Sequence, residues 1–153
     1  MADTYELQLT LNLPGSLSSR DLDLLRWHLG EDGGRQDEED KEHEGYEGYE
    51  VPLWDGRGPA PRIGGLQVAE LRSVHRGWAL TVRQEAHPDG FHDLRRLVLW
   101  LGERTTTGGP IGYLRFYESY VPDILIVESG TVSCVVLRMD ETIRVADQEF
   151  PYS

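Results

Sequence analysis

The sequence predicts an α+β domain in which two helices cover one face of a mostly antiparallel sheet. Period-2 alternation of apolar residues marks several strands, and two apolar stripes with helical spacing interrupt them. The order is strand, helix, strand, strand, helix, strand, followed by a hairpin. This order indicates the split β-α-β (ferredoxin-like) layout with a C-terminal β-hairpin extension. The length of 153 residues favours a single domain, residues 1–153. Because both helices are predicted on one face of the sheet, the other face is expected to stay free for a partner.

Leucine spacing predicts the first strand and the first helix. Residues 5–13 alternate leucines with polar side chains, which is typical of a half-buried strand. Residues 18–21 have the pattern of a capping box, in which a serine hydroxyl accepts a free backbone N–H. Three leucines at helical spacing then precede Gly30, namely Leu22, Leu25 and Leu29. We therefore expect a helix of about three turns.

The next segment, residues 31–65, is predicted to be an insertion that is disordered or mobile in part. Ten acids against two bases give residues 31–50 a charge of −8, two thirds of the net −12 of the chain. Such a run has few apolar residues to offset the entropy of ordering, and its like charges repel. Residues 51–65 are rich in proline and glycine, and Trp54 is expected to attach them to the body of the domain.

A second hairpin and a second helix follow. Residues 66–75 and 77–85 are predicted strands, with Arg76-Gly77 as the turn between them. Asp93 is the expected N-cap of a helix. The apolar stripe of that helix comprises Leu94, Leu97, Val98 and Leu101.

Residues 111–137 carry the clearest strand pattern. Alternation places Leu114 and Phe116 on one face of the first strand, and Tyr113, Arg115 and Tyr117 on the other. Residues 123–127 are apolar on both faces, which is typical of a strand that is covered on both sides. Ser129-Gly130 is predicted to close a hairpin into residues 131–137. The last two strands are therefore expected to belong to the core.

Charge and composition narrow the function classes. Fifteen basic against 27 acidic residues give −12, which opposes binding to nucleic acid or to an anionic membrane and favours a basic protein partner. No apolar run approaches the roughly 20 residues of a membrane span, and the first residues lack a signal-peptide pattern, so we expect a cytoplasmic protein. Its oligomeric state is not predicted.

Catalytic and metal motifs are weak. The run HPDGFHD, residues 87–93, fits turn chemistry and a helix cap better than a metal site, and the lone Cys134 is expected to be a small core residue. No cofactor is expected, because neither a phosphate-binding glycine loop nor a nucleophile elbow occurs. An alternative stays open, a small enzyme with a dispersed histidine and carboxylate site drawn from His75, His92 and Glu118.

The candidate partner-binding residues are Tyr113, Arg115, Tyr117 and Glu118. Tyrosine and arginine dominate protein interfaces, because each combines a large contact area with a directed polar tip. An aromatic sheet face can also bind single-stranded RNA, but the ribonucleoprotein pattern is missing and the net charge repels RNA. The other interpretation is structural, with these side chains covering the sheet or pairing across strands.

A family resemblance spans residues 78–132. Trp78-Ala79-Leu80 on a strand, a helix with Leu97 and Trp100, and the run IGYLRFYE at 111–118 followed by Pro122 and an apolar strand carry it. The chain resembles small bacterial proteins, some of which are immunity proteins found beside polymorphic toxins. Their pattern is an I-G-Y-x-R-x-E run followed by P-T-L. Here Glu118 is displaced by one or two places, and Asp123-Ile124 replace Thr-Leu.

The resemblance implies a function of the binding class. Together with the net charge of −12, it favours a non-enzymatic protein-binding module whose partner is a basic protein such as a toxin.

Overall fold

The computed structural model describes residues 3–31 and 45–147. The predicted α+β class is confirmed, since this part of the chain forms two helices and a seven-stranded antiparallel sheet. The helices are α1 (Ser19–His28) and α2 (Phe91–Arg104). The strands are β1 (Tyr5–Pro14), β2 (Gly58–Pro59), β3 (Leu66–Val74), β4 (Gly77–Ala86), β5 (Gly109–Phe116), β6 (Asp123–Glu128) and β7 (Thr131–Val136). Residues 32–44 of the predicted insertion lie outside the described residues.

The strand order in the sheet is β2-β3-β4-β1-β5-β6-β7. Every neighbouring pair is antiparallel. The first strand of the sequence is therefore central, with β4 and β5 on either side of it. This position explains why the four alternating leucines of β1 are all buried, at 5% exposure or less.

The hydrophobic core lies between the sheet and the two helices. Leu7 and Leu9 of β1 belong to one buried cluster with Leu25 of α1 and Leu97 and Leu101 of α2. Both helices thus cover the face of β1 that carries its odd-numbered leucines, which we call the helix face. The opposite face carries the even-numbered residues of β1, and we call it the open face.

The helix boundaries follow the predicted caps with one correction. Ser18 caps α1 by accepting the backbone N–H of Asp21 at 3.1 Å, as its sequence pattern predicts. Asp93, however, is not the N-cap of α2. The helix begins at Phe91 after Gly90, so Asp93 lies in the first turn, where its carboxylate is 3.4 Å from Arg96 Nη1. A carboxylate there still interacts favourably with the helix dipole.

The β3–β4 turn is also displaced by one residue. His75 and Arg76 form the turn, and Gly77 is the first residue of β4. A side chain at position 77 would meet the Leu13 carbonyl at 2.2 Å, so glycine is required there by the close approach of β1.

The expectation that the last two strands belong to the core is wrong for β7. Val127 of β6 is 3% exposed, but Ile124 and Ile126 are half-buried on the open face. In β7 every residue except Val132 is exposed, and Cys134 is exposed rather than a core residue. Helix α2 reaches β7 near Val132, where a Cβ added at Gly102 would lie 2.3 Å from the Val132 side chain, but the other residues of β7 stay exposed. Burial therefore does not follow from the apolar composition of this strand.

The segment after residue 44 packs against α1. Trp54 is 1% exposed and its backbone N–H donates to the His28 carbonyl at 2.9 Å, so the predicted attachment by Trp54 is confirmed. Tyr46 and Tyr49 exchange two backbone hydrogen bonds across a tight turn, and the Trp27 and Tyr46 rings stack at 5.5 Å. Within the part of the chain that the structure describes, neither helix is long and apolar enough to cross a membrane.

Candidate functional site

One row of side chains crosses the open face from edge to edge. Strand register places Val68, Arg83, Gln8, Tyr113, Ile124 and Val135 opposite one another on β3, β4, β1, β5, β6 and β7. Directly opposed residues of antiparallel strands share a face, so all six side chains project to the side away from the helices. We call this set the Tyr113 row. Its β5–β7 half is aromatic and aliphatic, and its other half is mainly polar.

A carboxylate is buried beside the row. Glu6 of β1 is 5% exposed although it lies on the open face. Its carboxylate accepts Nε–H of Arg83 at 2.9 Å and Nε–H of Arg115 at 3.1 Å, so one acid bridges the strands on both sides of β1. Such charge-assisted hydrogen bonds offset the cost of taking the carboxylate out of water.

The pKa of Glu6 reflects this competition. Burial raises the pKa, but hydrogen bonds from Arg115, Arg83 and Tyr113 outweigh burial and hold the pKa below its ordinary value of 4.5. Glu6 is therefore a carboxylate throughout the neutral range, and it keeps both guanidinium groups oriented.

Arg115 is occupied by internal contacts. Beyond Glu6, its Nη1 donates to the carbonyls of Tyr117 at 3.0 Å and Ser119 at 2.8 Å. The guanidinium thus ties the loop after β5 to the centre of the sheet. This geometry favours a supporting role for Arg115 over direct contact with a partner.

A short loop covers the Arg83 side of the carboxylate. Arg83 Nη1 donates to the Gly64 and Leu66 carbonyls at 2.7 and 2.9 Å. In the same loop the backbone N–H groups of Arg62 and Ile63 donate to Glu85 Oε1 at 2.6 and 3.0 Å. Residues 62–66 therefore cover Arg83 and Glu85 on the β4 side of Glu6, and Arg83 in turn lies against the carboxylate.

Tyr113 is positioned from two sides. A hydrogen bond joins its hydroxyl to Glu6, and burial together with the nearby Glu6 carboxylate raises the pKa of Tyr113. Its preceding residue, Gly112, lies so close to β1 that an added Cβ would be 1.8 Å from the Gln8 carbonyl. Tyr113 is half-buried and stands directly opposite Ile124, so its ring borders a half-buried aliphatic side chain.

Tyr117 and Glu118 lie beyond the end of β5. The backbone N–H of Tyr117 donates to the Thr4 carbonyl at 2.9 Å. A hydrogen bond to Glu118 raises the pKa of the Tyr117 phenol, and Arg62 lies close enough to oppose this effect. Alternation is confirmed for Tyr113 and Arg115, whose cross-strand partners are Gln8 and Glu6. Tyr117 belongs to the adjoining loop surface instead.

The three residues of the alternative enzyme site do not form a cluster. His75 lies two residues before Gly77, which pairs with Pro14 at one end of β1. Glu118 lies two residues after Phe116, which pairs with Tyr5 at the other end. A ten-residue strand spans about 30 Å. His92 is exposed at the start of α2. Within residues 3–31 and 45–147, no three His, Cys, Asp or Glu side chains are grouped to hold a metal ion.

A buried histidine was missed by the sequence interpretation. His28 ends α1 with no exposed surface, and its Nδ1 accepts the Leu53 backbone N–H at 3.2 Å. Its Nε2 has no hydrogen-bond partner in the described part of the chain. The Tyr49 ring packs against it at 4.5 Å. Burial lowers the pKa of His28 to about 4, so the imidazole is neutral at pH 7 and serves the packing of residues 45–57.

Glu6 and Arg83 were also missed. The signal that was available was an acid between leucines on a strand whose neighbours carry arginines on the matching face.

Comparisons with protein-family models, with curated proteins and with solved structures found no match to the chain.

Proposed function

We propose that the protein is a non-enzymatic binding module whose open sheet face, around Tyr113, binds a protein with a basic surface. The observation that carries the proposal is the run of Tyr113, Ile124 and Val135 across β5, β6 and β7 on a face that neither helix covers in the described residues. An aromatic side chain among aliphatic neighbours on rigid strands is the usual composition of an interface centre.

Preorganisation favours Tyr113 as the anchor. Its hydroxyl is held by Glu6, and Glu6 is held by Arg83 and Arg115. Because the ring is already oriented in the free protein, little side-chain entropy is lost when a partner packs on it. In this proposal Arg115 supports the anchor, while Tyr117 and the exposed Glu118 extend the contact at its rim.

Charge favours a basic partner. The chain carries −12, of which −8 lies in residues 31–50. A negative field speeds the encounter with a positively charged protein and has a smaller effect on how long the complex lasts.

The fold and the resemblance make the proposal more specific. The order β3-β4-β1-β5, with α1 after β1 and α2 between β4 and β5, supports a split β-α-β (ferredoxin-like) core that β6 and β7 extend. With the resemblance of residues 78–132 to immunity-like proteins, we propose that this module acts in the cytoplasm of a bacterium and neutralises a basic toxin. A chain with one cysteine suits a reducing compartment.

The experiment is a capture followed by measured kinetics. The purified protein and its Tyr113→Ala variant are immobilised, and proteins retained by the first but not by the second are identified, produced and purified. Association and dissociation are then recorded over a series of salt concentrations. We expect a basic protein whose association slows as salt rises and which dissociates faster from Tyr113→Ala.

A charge variant tests the electrostatic part separately. Replacing Asp37, Glu38, Glu39 and Asp40 by their amides removes four negative charges. We prefer this change to deletion of residues 31–50, because deletion also removes Tyr49, which is 4% exposed. Association is expected to slow while dissociation stays constant. If the purified partner binds both variants with the wild-type rates, the proposal is wrong.

A further inference from the structure

Helix α2 crosses the outer half of the sheet diagonally. At its start, the Phe91 ring meets the Tyr5 ring of β1, with 4.9 Å between the ring centroids. Near its end, a Cβ added at Gly102 would lie 2.3 Å from the Val132 side chain of β7. Strands β5 and β6 lie between β1 and β7 in the sheet. The first half of α2 therefore lies to one side of β6 and β7, and a wedge-shaped opening remains on the helix face.

This opening is a groove of about 360 Å³. Its floor consists of apolar side chains from three strands, Leu7, Leu114 and Leu125, and its sides are formed by α2 and β7. A cavity of about 150 Å³ with such a lining holds benzene, and small-molecule sites generally measure about 300 to 1,000 Å³. The groove therefore has room for an apolar molecule of about eight to ten carbons.

One cation interrupts the apolar lining. Phe91, Arg95 and Leu99 are spaced four residues apart on α2, so they form one stripe along the side of the groove. Two other arginines of this helix, Arg96 and Arg104, each lie within 3.4 Å of an aspartate. Arg95 has no such carboxylate partner within residues 3–31 and 45–147. Its guanidinium is therefore free to bind an anion that lies in the groove.

We propose that the groove binds a fatty acid, whose alkyl chain packs on Leu114 and Leu125 and whose carboxylate pairs with Arg95. Burial of the alkyl chain supplies most of the affinity, since the hydrophobic gain scales with the apolar area removed from water. The guanidinium selects the carboxylate, because its planar donors match the two oxygens of that group. The net charge of −12 opposes small anions that lack an apolar chain.

One acid lies close to the groove without lining it. Asp123 pairs with Leu114 and Val136, so its side chain projects to the helix face. Burial raises the pKa of the Cys134 thiol, and the nearby Asp123 carboxylate raises this pKa further. A ligand carboxylate is repelled by Asp123 and is therefore expected on the α2 side of the groove. Asp123→Asn is accordingly expected to tighten the binding of a fatty acid.

The groove goes beyond the proposed function and does not depend on it. It lies on the helix face, whereas the Tyr113 row lies on the open face. Tyr113→Ala is therefore expected to leave fatty-acid binding unchanged, and a failure of either proposal leaves the other in place.

Calorimetric titration of the full chain with eight-carbon probes tests the site. Octanoate, octan-1-ol, octylamine and the short anion acetate are compared below the concentrations at which micelles form. We expect one octanoate to bind per chain, about fivefold weaker binding of octanol, still weaker binding of octylamine, and none of acetate. Absence of octanoate binding, several octanoates per chain, or equal affinities for octanoate and octanol would contradict the proposal.

The thiol of Cys134 locates the ligand. Cys134 is exposed and lines the groove, so its alkylation is measurable in the free protein. Octanoate is expected to slow this alkylation in proportion to the fraction of chains that are occupied. An alkylation rate that does not change at saturating octanoate would place the ligand elsewhere and overturn the inference.

A charge variant tests the role of Arg95. Arg95→Gln is expected to weaken octanoate binding about fivefold and to leave octanol binding unchanged. Arg72→Gln is the matched control, because it removes the same charge from an exposed position on β3. Equal octanoate affinities in the two variants would show that Arg95 does not contact the carboxylate.

A filling variant tests the groove itself. Cys134→Trp places a large side chain in the groove from an exposed position and is expected to abolish octanoate binding. The matched control is Val135→Trp on the same strand, since Val135 pairs with Ile124 and projects to the open face. Thermal unfolding of both variants reports the fold. Octanoate binding that survives in a folded Cys134→Trp, or that is lost equally in Val135→Trp, overturns the inference.

Discussion

The two faces of the sheet solve the burial of an ionisable group in opposite ways. In the helix layer His28 is enclosed by aromatic rings and is kept neutral, because no charged group donates to or accepts from it in the described residues. On the open face Glu6 is nearly as buried but stays charged, because two arginines reach it from neighbouring strands. Burial alone therefore does not determine the charge state of a side chain. In these two cases the charge state follows from whether neighbouring residues supply charged hydrogen-bond partners.

The strongest way to test the contrast between the faces is to truncate one residue on each. Leu9 has no exposed surface on the helix face, and Leu9→Ala is expected to lower the free energy of unfolding by about 4 kcal/mol through lost burial and the cavity left behind. Its neighbour Thr10 is exposed on the open face, and Thr10→Ala is expected to cost less than about 0.5 kcal/mol. Urea unfolding of both variants checks this, and similar costs would contradict the assignment of the faces.

Acid separates the two buried groups. The pKa of His28 is about 4 in the folded protein against 6.5 ordinarily, so the unfolded chain binds more protons between these values and stability falls as pH falls. His28 is expected to contribute a loss of about 3 kcal/mol between pH 7 and pH 4. Unfolding free energies of wild type and His28→Gln across this range measure it.

The matched control is His75→Gln, because His75 is exposed. We expect the pH dependence to be shallower in His28→Gln and unchanged in His75→Gln. Equal slopes in all three proteins would show that His28 titrates freely.

Neutralising Glu6 tests the charged side of the comparison. Glu6→Gln removes the negative charge that Arg83 and Arg115 share and turns one acceptor oxygen into an amide NH2 that faces a guanidinium, so it is expected to destabilise the fold by about 2 kcal/mol. The control is Glu70→Gln, since Glu70 pairs with Arg72 in an exposed salt bridge that contributes less than about 1 kcal/mol. Chemical unfolding at pH 7 distinguishes the two variants. If Glu6→Gln has the same free energy of unfolding as the wild type, Glu6 and its two arginines do not support the fold.

Local patterns in the sequence were sufficient for much of the fold. The alternation in residues 5–13 and 111–117 correctly assigned the faces of Leu7, Leu114 and Tyr113, because strand geometry has a fixed period of two. The role of Glu6 could not be predicted in this way. It depends on which strands lie beside β1, and pairing between residues about 80 to 110 positions apart is not encoded in a local pattern.

The outer strands show a different limit. The valines of β7 and the isoleucines of β6 have the composition of a strand that is covered on both sides, yet one copy of the chain leaves them exposed or half-buried. An apolar composition indicates a strand, but it does not indicate which other part of the molecule, if any, packs against its two faces. His28 was missed for a related reason, since residues 45–57 bury it from outside its own helix.

The measurement that decides whether the open face is the binding surface compares Tyr113→Ala with Thr81→Ala, a change at an exposed residue of the same face on β4. Dissociation of the purified basic partner is recorded for each. We expect dissociation from Tyr113→Ala to be about tenfold faster, with an unfolding free energy within about 1 kcal/mol of wild type, and dissociation from Thr81→Ala to be unchanged. Equal dissociation rates from wild type and Tyr113→Ala would contradict a binding role for this face.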